Sequence, residues 1–288
     1  MEQKTSAIIM KGKPVAEEVA ERLRPEIEEL SSKCGRPPGL AVVLVGEDPA
    51  SQVYVRIKER TAKKLGIETF DHRVPGDTTQ ADLIDLVERL NADPAVDGIL
   101  VQLPLPEGLS EEEVLRRVDP GKDVDVFHPE NFGKLALKQG ILRPCTPAGV
   151  IEMLKHYGIG IEGRSVALIG RSKIVGLPLS LLFLHENATI TVCHSRTADI
   201  AKVTREADIV VAALGRPKFL TADMVKEGAV VVDVGINRVD EKLVGDCDYD
   251  ALVDKVAAIT PVPGGVGPMT VAMLMVNTVR AYRHHVLG

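Results

Sequence analysis

The chain has 288 residues, of which 45% are hydrophobic and 26% charged, a composition typical of a soluble globular protein with about two domains. Its formal charge is −6, tryptophan is absent, aromatic residues make up 3% and no block of basic residues occurs, which excludes an electrostatic or stacking surface for nucleic acid or an anionic membrane. The four cysteines are too far apart to form a Cys-x-x-Cys pair, so we expect neither a disulfide framework nor a metal site.

The first half of the chain alternates predicted helices and strands. Residues 1–4 lack the basic and then apolar layout of a signal peptide, so we expect a cytoplasmic protein. Apolar residues at helical spacing predict a helix from Val15 to Leu30, which Pro25 should kink or divide. The later predicted elements are a fully buried strand at 40–45, a helix that Asp48 and Pro49 begin and that ends near Leu65, a strand at 68–74, a helix at 79–90, a strand at 98–103, and a short helix that Ser110 and Glu113 begin as a capping box.

A second α/β unit follows residues 144–147. Its predicted elements are a strand at 165–169, a turn at 170–176, a helix at 177–185, strands at 189–193, 209–213 and 229–234, and a terminal helix at 268–284. The uncharged stretch 256–279 contains several prolines and glycines, so we reject a membrane span there. We therefore predict an α/β protein with parallel sheets and two domains, one of residues 1–146 plus 269–288 and one of residues 147–268.

Residues 166–176 read as a strand, a turn and the start of a helix. Gly170 follows the strand, where glycine allows a tight turn and a close approach of backbone to phosphate. Ser172 occupies the place of the second glycine in the Gly-x-Gly-x-x-Gly pattern, so an ordinary strand-to-helix turn is an open alternative.

The strand that follows this turn favours a dinucleotide. Where a nicotinamide-binding fold places an acid for the ribose 2′-hydroxyl, this chain has Arg196 instead, with Arg171 in the earlier turn. Two guanidinium groups suit a 2′-phosphate, so we predict NADP rather than NAD; two solvated surface arginines are the alternative. The candidate cofactor residues are Gly170, Arg171, Ser172, Ile174, His194, Ser195, Arg196, Thr197, Ala213, Gly215, Gly235 and Ile236.

Tyr54 and Lys58 share one face of a predicted helix. Spacing alone favours a surface lysine, but Ser51, Tyr54 and Lys58 lie just past the carboxyl end of a parallel strand, where ligands bind in such sheets. Gln102 lies near the carboxyl end of the third predicted strand, at the same edge. The glycine-rich segment 263–267 is suited either to pressing backbone against a flat ligand or to joining two domains.

Taken together, these residues and motifs resemble those of a known enzyme family. The chain resembles the bifunctional methylenetetrahydrofolate dehydrogenase/methenyltetrahydrofolate cyclohydrolase family over essentially its whole length. The resemblance implies two α/β domains with a cleft between them, NADP, a folate substrate, a homodimer, and a last helix that returns to the first domain. The segments that match are residues 51–58, 97–106, 122–125, 170–172, 194–197 and 260–270.

The resemblance also implies roles for single residues. Tyr54 would pack on the folate ring and Asp125 would hold the amino-pyrimidinone edge of the pterin. After 5,10-methylenetetrahydrofolate is oxidised to the methenyl form, Lys58 would move protons as water converts it to 10-formyltetrahydrofolate, provided that burial leaves its amine neutral, and Gln102 would position that amine. The candidate catalytic residues are Lys58, Gln102, Tyr54 and Asp125, and the candidate substrate-binding residues are Ser51, Tyr54, Lys58, Val101, Gln102, Leu103, Asp125, Pro263, Gly264, Gly265, Val266 and Gly267.

Val126 departs from the family pattern, which usually has glycine after Lys-Asp-Val-Asp. A β-branched residue resists the positive φ that glycine allows, so Asp125 would shift if the loop needs that conformation. This leaves a dehydrogenase without the hydrolytic step as one alternative. Two others are a different two-domain NADP dehydrogenase, similar to shikimate dehydrogenase, and a non-catalytic NADP-sensing module, which would need neither Lys58 nor Gln102.

Overall fold

A computed structural model describes residues 6–288; residues 1–4, on which the expectation about a signal peptide rests, lie outside the described residues. The helices span Gly12–Cys34 (α1), Pro49–Leu65 (α2), Gln80–Ala92 (α3), Glu111–Leu115 (α4), Pro129–Ala136 (α5), Cys145–His156 (α6), Gly176–His185 (α7), Ile200–Glu206 (α8), Tyr249–Leu252 (α9) and Gly267–Leu287 (α10). The strands span Ile8–Ile9 (β1), Gly39–Val45 (β2), Glu68–Val74 (β3), Gly98–Val101 (β4), Ser165–Ile169 (β5), Thr189–Cys193 (β6), Ile209–Ala212 (β7), Val230–Asp233 (β8), Asn237–Val239 (β9), Lys242–Val244 (β10) and Ala258–Ile259 (β11), and a 3-10 helix spans Ala222–Met224.

The chain divides into two compact units. The three-strand unit comprises residues 18–145 and 271–288, and the six-strand unit comprises residues 6–17 together with residues 146–270. The larger part of α10 therefore belongs to the three-strand unit, as the returning last helix predicts. Tyr282 of α10 is fully buried and its hydroxyl donates to the carbonyl of Arg36 at 2.6 Å.

The three-strand unit is built on a parallel sheet in the order β3-β2-β4. Every residue of β2 is buried, which is why its sequence is a continuous apolar run instead of an alternating one. After β2, the Asp48 side chain accepts from the N–H of Ser51 and so caps α2, as predicted. Because β2 and β4 are parallel, the start of α2 and the residue after β4 come to the same edge of the sheet.

The six-strand unit holds a wholly parallel sheet in the order β1-β11-β8-β7-β5-β6. The chain passes from β5 to β6 on one side and then returns to β7 on the other side of β5. This reversal creates a topological switch point between β5 and β7, the place where open α/β sheets bind ligands at the carboxyl ends of their strands. A small antiparallel pair, β9 and β10, lies outside this sheet.

The structure differs from the sequence-based expectation in several elements. Helix α1 continues through Pro25 without dividing, because its apolar stripe from Val15 to Leu30 is buried on both sides of the proline. Strand β1, whose residues we assign to the first domain from the sequence, pairs with β11 of the six-strand unit. Among residues 6–288, no helix combines the length and the apolar character that a bilayer crossing requires.

Candidate active site

Lys58 and Gln102 meet at the carboxyl edge of the three-strand sheet. Lys58 is buried on α2, and its Nζ donates to Oε1 of Gln102 at 3.0 Å. The Gln102 amide is itself fixed, because its Nε2 donates to the carbonyl of Leu103 at 2.7 Å and its backbone N–H donates to the carbonyl of Val43 at 2.9 Å. The amide can therefore present only its oxygen to the lysine, so the amine is held in one place.

Asp125 lies within electrostatic reach of the same amine. Burial raises the pKa of the Asp125 carboxyl, and the positive charge of Lys58 acts in the opposite direction. Burial also raises the pKa of the Cys145 thiol well above its usual range, and the neighbouring Asp125 carboxylate adds to that effect. The thiol donates to the carbonyl of Val124 at 3.3 Å. Cys145 is thus a buried packing residue and not a nucleophile.

The loop that carries Asp125 is wrapped around a second carboxylate, that of Asp123. The Asp123 oxygens accept from the backbone N–H groups of residues 126–128 at 3.1, 3.2 and 2.9 Å, and from Nδ2 of Asn131 at 2.9 Å. Burial nevertheless raises the pKa of this carboxyl. To bring three successive amides onto one carboxylate the chain must reverse at Val126, which adopts a φ of 65° and is buried. Val126 thus adopts the conformation that a β-branched residue resists, and the hydrogen bonds to Asp123 hold it there.

The other candidates of this unit surround the same edge. Ser51 is buried in the first turn of α2, and Tyr54 lies one turn before Lys58 with more than a third of its surface exposed. Val101 is the buried last residue of β4, and Leu103 follows Gln102. Tyr54 thus presents an exposed aromatic ring one helical turn from the buried amine of Lys58.

The turn after β5 contacts the loop that follows β7, the strand across the switch point from β5. Gly170 has a φ of 128°, and a Cβ atom there would lie 2.1 Å from the carbonyl oxygen of Ala213, so only glycine fits. Ser172, which replaces the second glycine of the dinucleotide pattern, makes hydrogen bonds within the turn. Its hydroxyl accepts from the N–H groups of Val175 and Gly176 and thereby forms the start of α7. In the described part of the chain, the main-chain N–H groups of Arg171 and Ser172 donate to no backbone carbonyl.

A second tight turn follows β6. The N–H of His194 donates to Oγ1 of Thr197 at 2.9 Å, the N–H of Thr197 returns to the carbonyl of His194 at 2.8 Å, and Nδ1 of His194 accepts from the N–H of Arg196. Ser195 and Arg196 are exposed at the tip of this turn. Because Ile169 pairs with Cys193 in the sheet, the turns that carry Arg171 and Arg196 leave adjacent strands at the same edge. Two exposed guanidinium groups there fit the 2′-phosphate of NADP.

The remaining candidate cofactor residues end β7 and β8 or project from the β5 turn. Gly215 has a φ of 67°. Apart from its two chain neighbours, no atom of residues 6–288 lies within 4 Å of the position of a Cβ there, so its backbone faces open space. Ile174 and Ile236 are 46% and 49% exposed, an unusual degree for isoleucine in a folded protein. Apolar surface next to basic turns is what a dinucleotide needs for its rings and phosphates. The residues present therefore fit NADP.

The glycine-rich segment 263–267 leads into α10, whose first residue is Gly267, and it belongs to the six-strand unit. The carbonyl of Gly264 accepts from the N–H of Gly12 at 2.9 Å, and a Cβ on Gly12 would lie 1.9 Å from the carbonyl oxygen of Gly265. Gly265 and Val266 are buried while Pro263 and Gly264 are exposed. This segment is closely packed on one side and leaves backbone accessible on the other.

Sequence reasoning missed three residues that organise these loops. Asp123 and Asp246 are buried carboxylates whose partners are mostly backbone N–H groups. Asn277 of α10 is fully buried, and its Nδ2 donates to the carbonyls of Val124 and Arg143 at 2.8 and 2.7 Å. The available signal is a charged or amide residue inside an otherwise apolar or glycine-rich stretch, but the partner of such a residue is visible only in the fold.

Two sequence profiles cover most of the chain. The profile of the tetrahydrofolate dehydrogenase/cyclohydrolase catalytic domain matches residues 10–125, and that of the NAD(P)-binding domain of the same family matches residues 144–286. The bifunctional protein FolD of Maridesulfovibrio salexigens is 55% identical over 282 residues, which cover 96% of this chain and 99% of the relative.

Solved structures agree with these sequence matches. The bifunctional methylenetetrahydrofolate dehydrogenase/cyclohydrolase FolD of Campylobacter jejuni superposes with a TM-score of 0.94 at 44% identity and covers 97% of this chain and 99% of its own. The N5,N10-methylenetetrahydrofolate dehydrogenase-cyclohydrolase (FolD) of Trypanosoma brucei, complexed with NADP cofactor and inhibitor, has a TM-score of 0.94 at 39% identity and covers 98% of this chain and 99% of its own.

Proposed function

This chain belongs to the tetrahydrofolate dehydrogenase/cyclohydrolase family, and from that premise we propose how its own residues carry out the two reactions. The first reaction oxidises 5,10-methylenetetrahydrofolate to 5,10-methenyltetrahydrofolate with NADP. The second hydrolyses the methenyl compound to 10-formyltetrahydrofolate. The enzyme is thus an NADP-dependent dehydrogenase and a cyclohydrolase of folate one-carbon metabolism. We also propose that it acts as a homodimer in the cytoplasm, which rests on the family alone.

The two basic turns of the six-strand unit would hold NADP. Arg196 and Arg171 would bind the 2′-phosphate, since guanidinium groups bind phosphate through paired hydrogen bonds. The turn that begins at Gly170 would receive the diphosphate, because glycine there lets the backbone approach a ligand closely and the N–H groups of Arg171 and Ser172 donate to no backbone carbonyl among residues 6–288. When bound, NADP supplies the acceptor for the hydride that leaves the methylene carbon of the folate.

The polar edge of the three-strand unit would hold the folate. Tyr54 offers an exposed ring on which an aromatic ring of the substrate can stack. Asp125 would accept two hydrogen bonds from the amino-pyrimidinone edge of the pterin, an arrangement that suits an ionised carboxylate. Substrate N–H groups and the Lys58 charge would both favour that ionised form over the protonated form that burial favours.

The oxidation step requires orientation more than acid–base chemistry. Loss of hydride leaves a cation that is spread over the two nitrogens flanking the carbon, so no proton has to leave with it. The contribution of Tyr54 and Asp125 to this step is to fix the pterin and thereby the carbon. Lys58 contributes to this step only by its place beside the same carbon.

The hydrolysis step requires proton transfer, and Lys58 is the group that we propose for it. Water attacks the methenyl carbon and loses a proton to the amine, which gives a neutral carbinolamine. The amine then returns that proton to N5 as the bond between this nitrogen and the carbon breaks, and the carbinolamine hydroxyl loses its proton to solvent as it becomes the formyl carbonyl, so one proton is released overall. Gln102 accepts from Nζ and so holds the amine in position while leaving its lone pair or its other protons available. This hydrogen bond between Lys58 and Gln102 is the single observation that carries the proposal.

The dehydrogenase-only alternative depends on a displaced Asp125 loop. Val126 adopts the positive φ that glycine would take and the Asp123 hydrogen bonds are complete, so the ground for that alternative is absent.

A two-stage spectrophotometric assay tests the proposal. With methylenetetrahydrofolate and NADP, we expect reduced cofactor and then a transient methenyl absorbance that decays as the ring opens. With methenyltetrahydrofolate alone, we expect hydrolysis that needs no NADP. Formation of reduced cofactor without any enzymatic hydrolysis would contradict the bifunctional assignment, and a preference for NAD over NADP would contradict the role of the two arginines.

A further inference from the structure

Asp246 is a fully buried carboxylate that the mechanism above does not use. It lies between Gly245 and Cys247, just after β10, with 0% of its surface exposed. Burying a carboxylate is costly unless hydrogen bonds replace its water. Its four donors are all neutral N–H groups, which shows that the surrounding backbone is arranged around this side chain.

The Asp246 carboxylate joins two loops of the six-strand unit. Oδ2 accepts from the N–H groups of Leu214 and Gly215 at 2.7 and 2.9 Å, in the loop after β7. Oδ1 accepts from the N–H of Arg216 at 2.8 Å and from Nδ2 of Asn237 at 2.8 Å. One side chain therefore fixes three successive amides of the β7 loop and ties them to the start of β9.

The loop after β8 is fitted to the same carboxylate. A Cβ atom on Gly235 would lie 2.2 Å from Cγ of Asp246, so glycine is required there by the close approach of the acid. Asp233 holds the backbone on both sides of this contact, because its oxygens accept from the N–H groups of Gly235, Asp246 and Cys247 at 2.9, 2.9 and 2.8 Å. Both loops are thus built onto a pair of buried carboxylates.

These two loops carry Gly215, Gly235 and Ile236, which the proposed function assigns to the cofactor. We propose that Asp246 is a positioning residue for NADP: its carboxylate sets the conformation of the loops after β7 and β8 and thereby the part of the site that receives the dinucleotide. The proposal rests on the proposed function for the identity of the ligand. The backbone N–H groups of residues 214–216 donate to the Asp246 carboxylate and so are not available to a phosphate. The Gly170 turn is therefore the part of the site that would bind phosphate.

An amide cannot replace this carboxylate. In Asp246→Asn one of the two oxygens becomes an NH₂ group, which then faces two N–H donors that no longer have an acceptor. We expect the KM for NADP to rise by about tenfold or more, with kcat at saturating NADP and the KM for the folate changed by less than about twofold. Asp248→Asn, two residues along and paired with Lys218 at the surface, is the matched control and should change neither constant.

The NADP-independent hydrolysis of methenyltetrahydrofolate provides the internal reference. It should be retained in Asp246→Asn, because the proposed hydrolytic residues belong to the three-strand unit. An unchanged KM for NADP, or equal losses of hydrolysis and of NADP affinity in a folded variant, would overturn the proposal. If the wild-type protein itself shows no NADP binding by calorimetry, the proposed function fails instead, and that result is distinct from any result with the variant.

A milder variant covers the case in which Asp246→Asn does not fold. Asn237→Ala removes one of the four hydrogen bonds to the carboxylate and leaves the three backbone donors in place. We expect a rise of about two- to fivefold in the KM for NADP with unchanged hydrolysis. An unchanged KM in this variant would overturn the proposal on its own.

Discussion

Nζ of Lys58 donates a 3.0 Å hydrogen bond to Oε1 of Gln102, although the two residues are 44 positions apart in the chain. The contact exists because α2 begins after the central strand β2 and Gln102 directly follows the neighbouring parallel strand β4. A buried amine held by one amide and within reach of Asp125 is suited to proton transfer at a folate ring.

The two arginines give a prediction about cofactor choice. Arg196→Ala should weaken NADP by about 10- to 100-fold in Kd while changing NAD by less than about twofold, because only NADP carries the 2′-phosphate. Calorimetry with each nucleotide measures both constants. Arg164→Ala, an exposed arginine just before the opposite end of β5, is the control. Equal losses for NADP and NAD would remove the 2′-phosphate from the assignment of Arg196.

The strained conformation of Val126 gives a prediction about stability. Glycine accommodates a φ of 65° freely, whereas alanine retains a left-handed penalty and keeps only one buried carbon more than glycine. Val126→Gly should therefore be more stable than Val126→Ala by about 1 kcal/mol in urea unfolding. At Val114, which is fully buried in helix α4, the order should reverse by a similar amount. A glycine variant less stable than the alanine variant at position 126 would contradict the positive φ.

Asp208 gives a prediction about pH. Hydrogen bonds from Lys226 and from Ser165 lower its pKa to about 2. A carboxyl whose pKa is lower in the folded chain than in the unfolded chain stabilises the fold at neutral pH, and this contribution is lost as the pH falls from about 4 to about 2. Allowing for the partial exposure of the side chain, the contribution at pH 7 should be about 1 kcal/mol.

Urea unfolding of the wild type and of Asp208→Asn across this range measures the contribution. The difference between the two proteins should be largest near pH 7 and should shrink as the solution is acidified. Asp254→Asn, an exposed aspartate of the same unit, should give no pH-dependent difference. A difference that is constant from pH 7 to pH 3 would exclude the lowered pKa as its origin.

Much of the fold follows from local signals in the sequence. The apolar run of β2, the Asp48 cap of α2 and the turn at Gly170 are encoded by neighbouring residues, and all three occur as predicted. Helix α6 was not predicted, because Pro147 and Gly149 indicate a break; both lie near its beginning, where proline is tolerated. Strand β1 has only two residues, too few to give a periodic pattern.

The candidate site divides in the same way. Lys58 and Gln102 could be paired from the sequence because the ends of parallel strands share an edge, a rule that needs no distances. The conformation of Val126 could not be predicted from the sequence, because it results from hydrogen bonds that Asp123 accepts from three later amides. Asp246 was missed for a related reason, since its partners are backbone groups about 30 residues earlier in the chain.

The substitution Lys58→Met tests the central claim most directly, because it keeps the length and apolar stem of the side chain and removes only the amine. Lys64→Met, an exposed lysine near the end of the same helix, is the matched control. With methenyltetrahydrofolate as substrate and no NADP, we expect the hydrolysis rate of Lys58→Met to fall by about 100-fold or more and the dehydrogenase rate to fall by a smaller factor. Hydrolysis by Lys58→Met at the wild-type rate would show that proton transfer in this enzyme does not pass through Lys58.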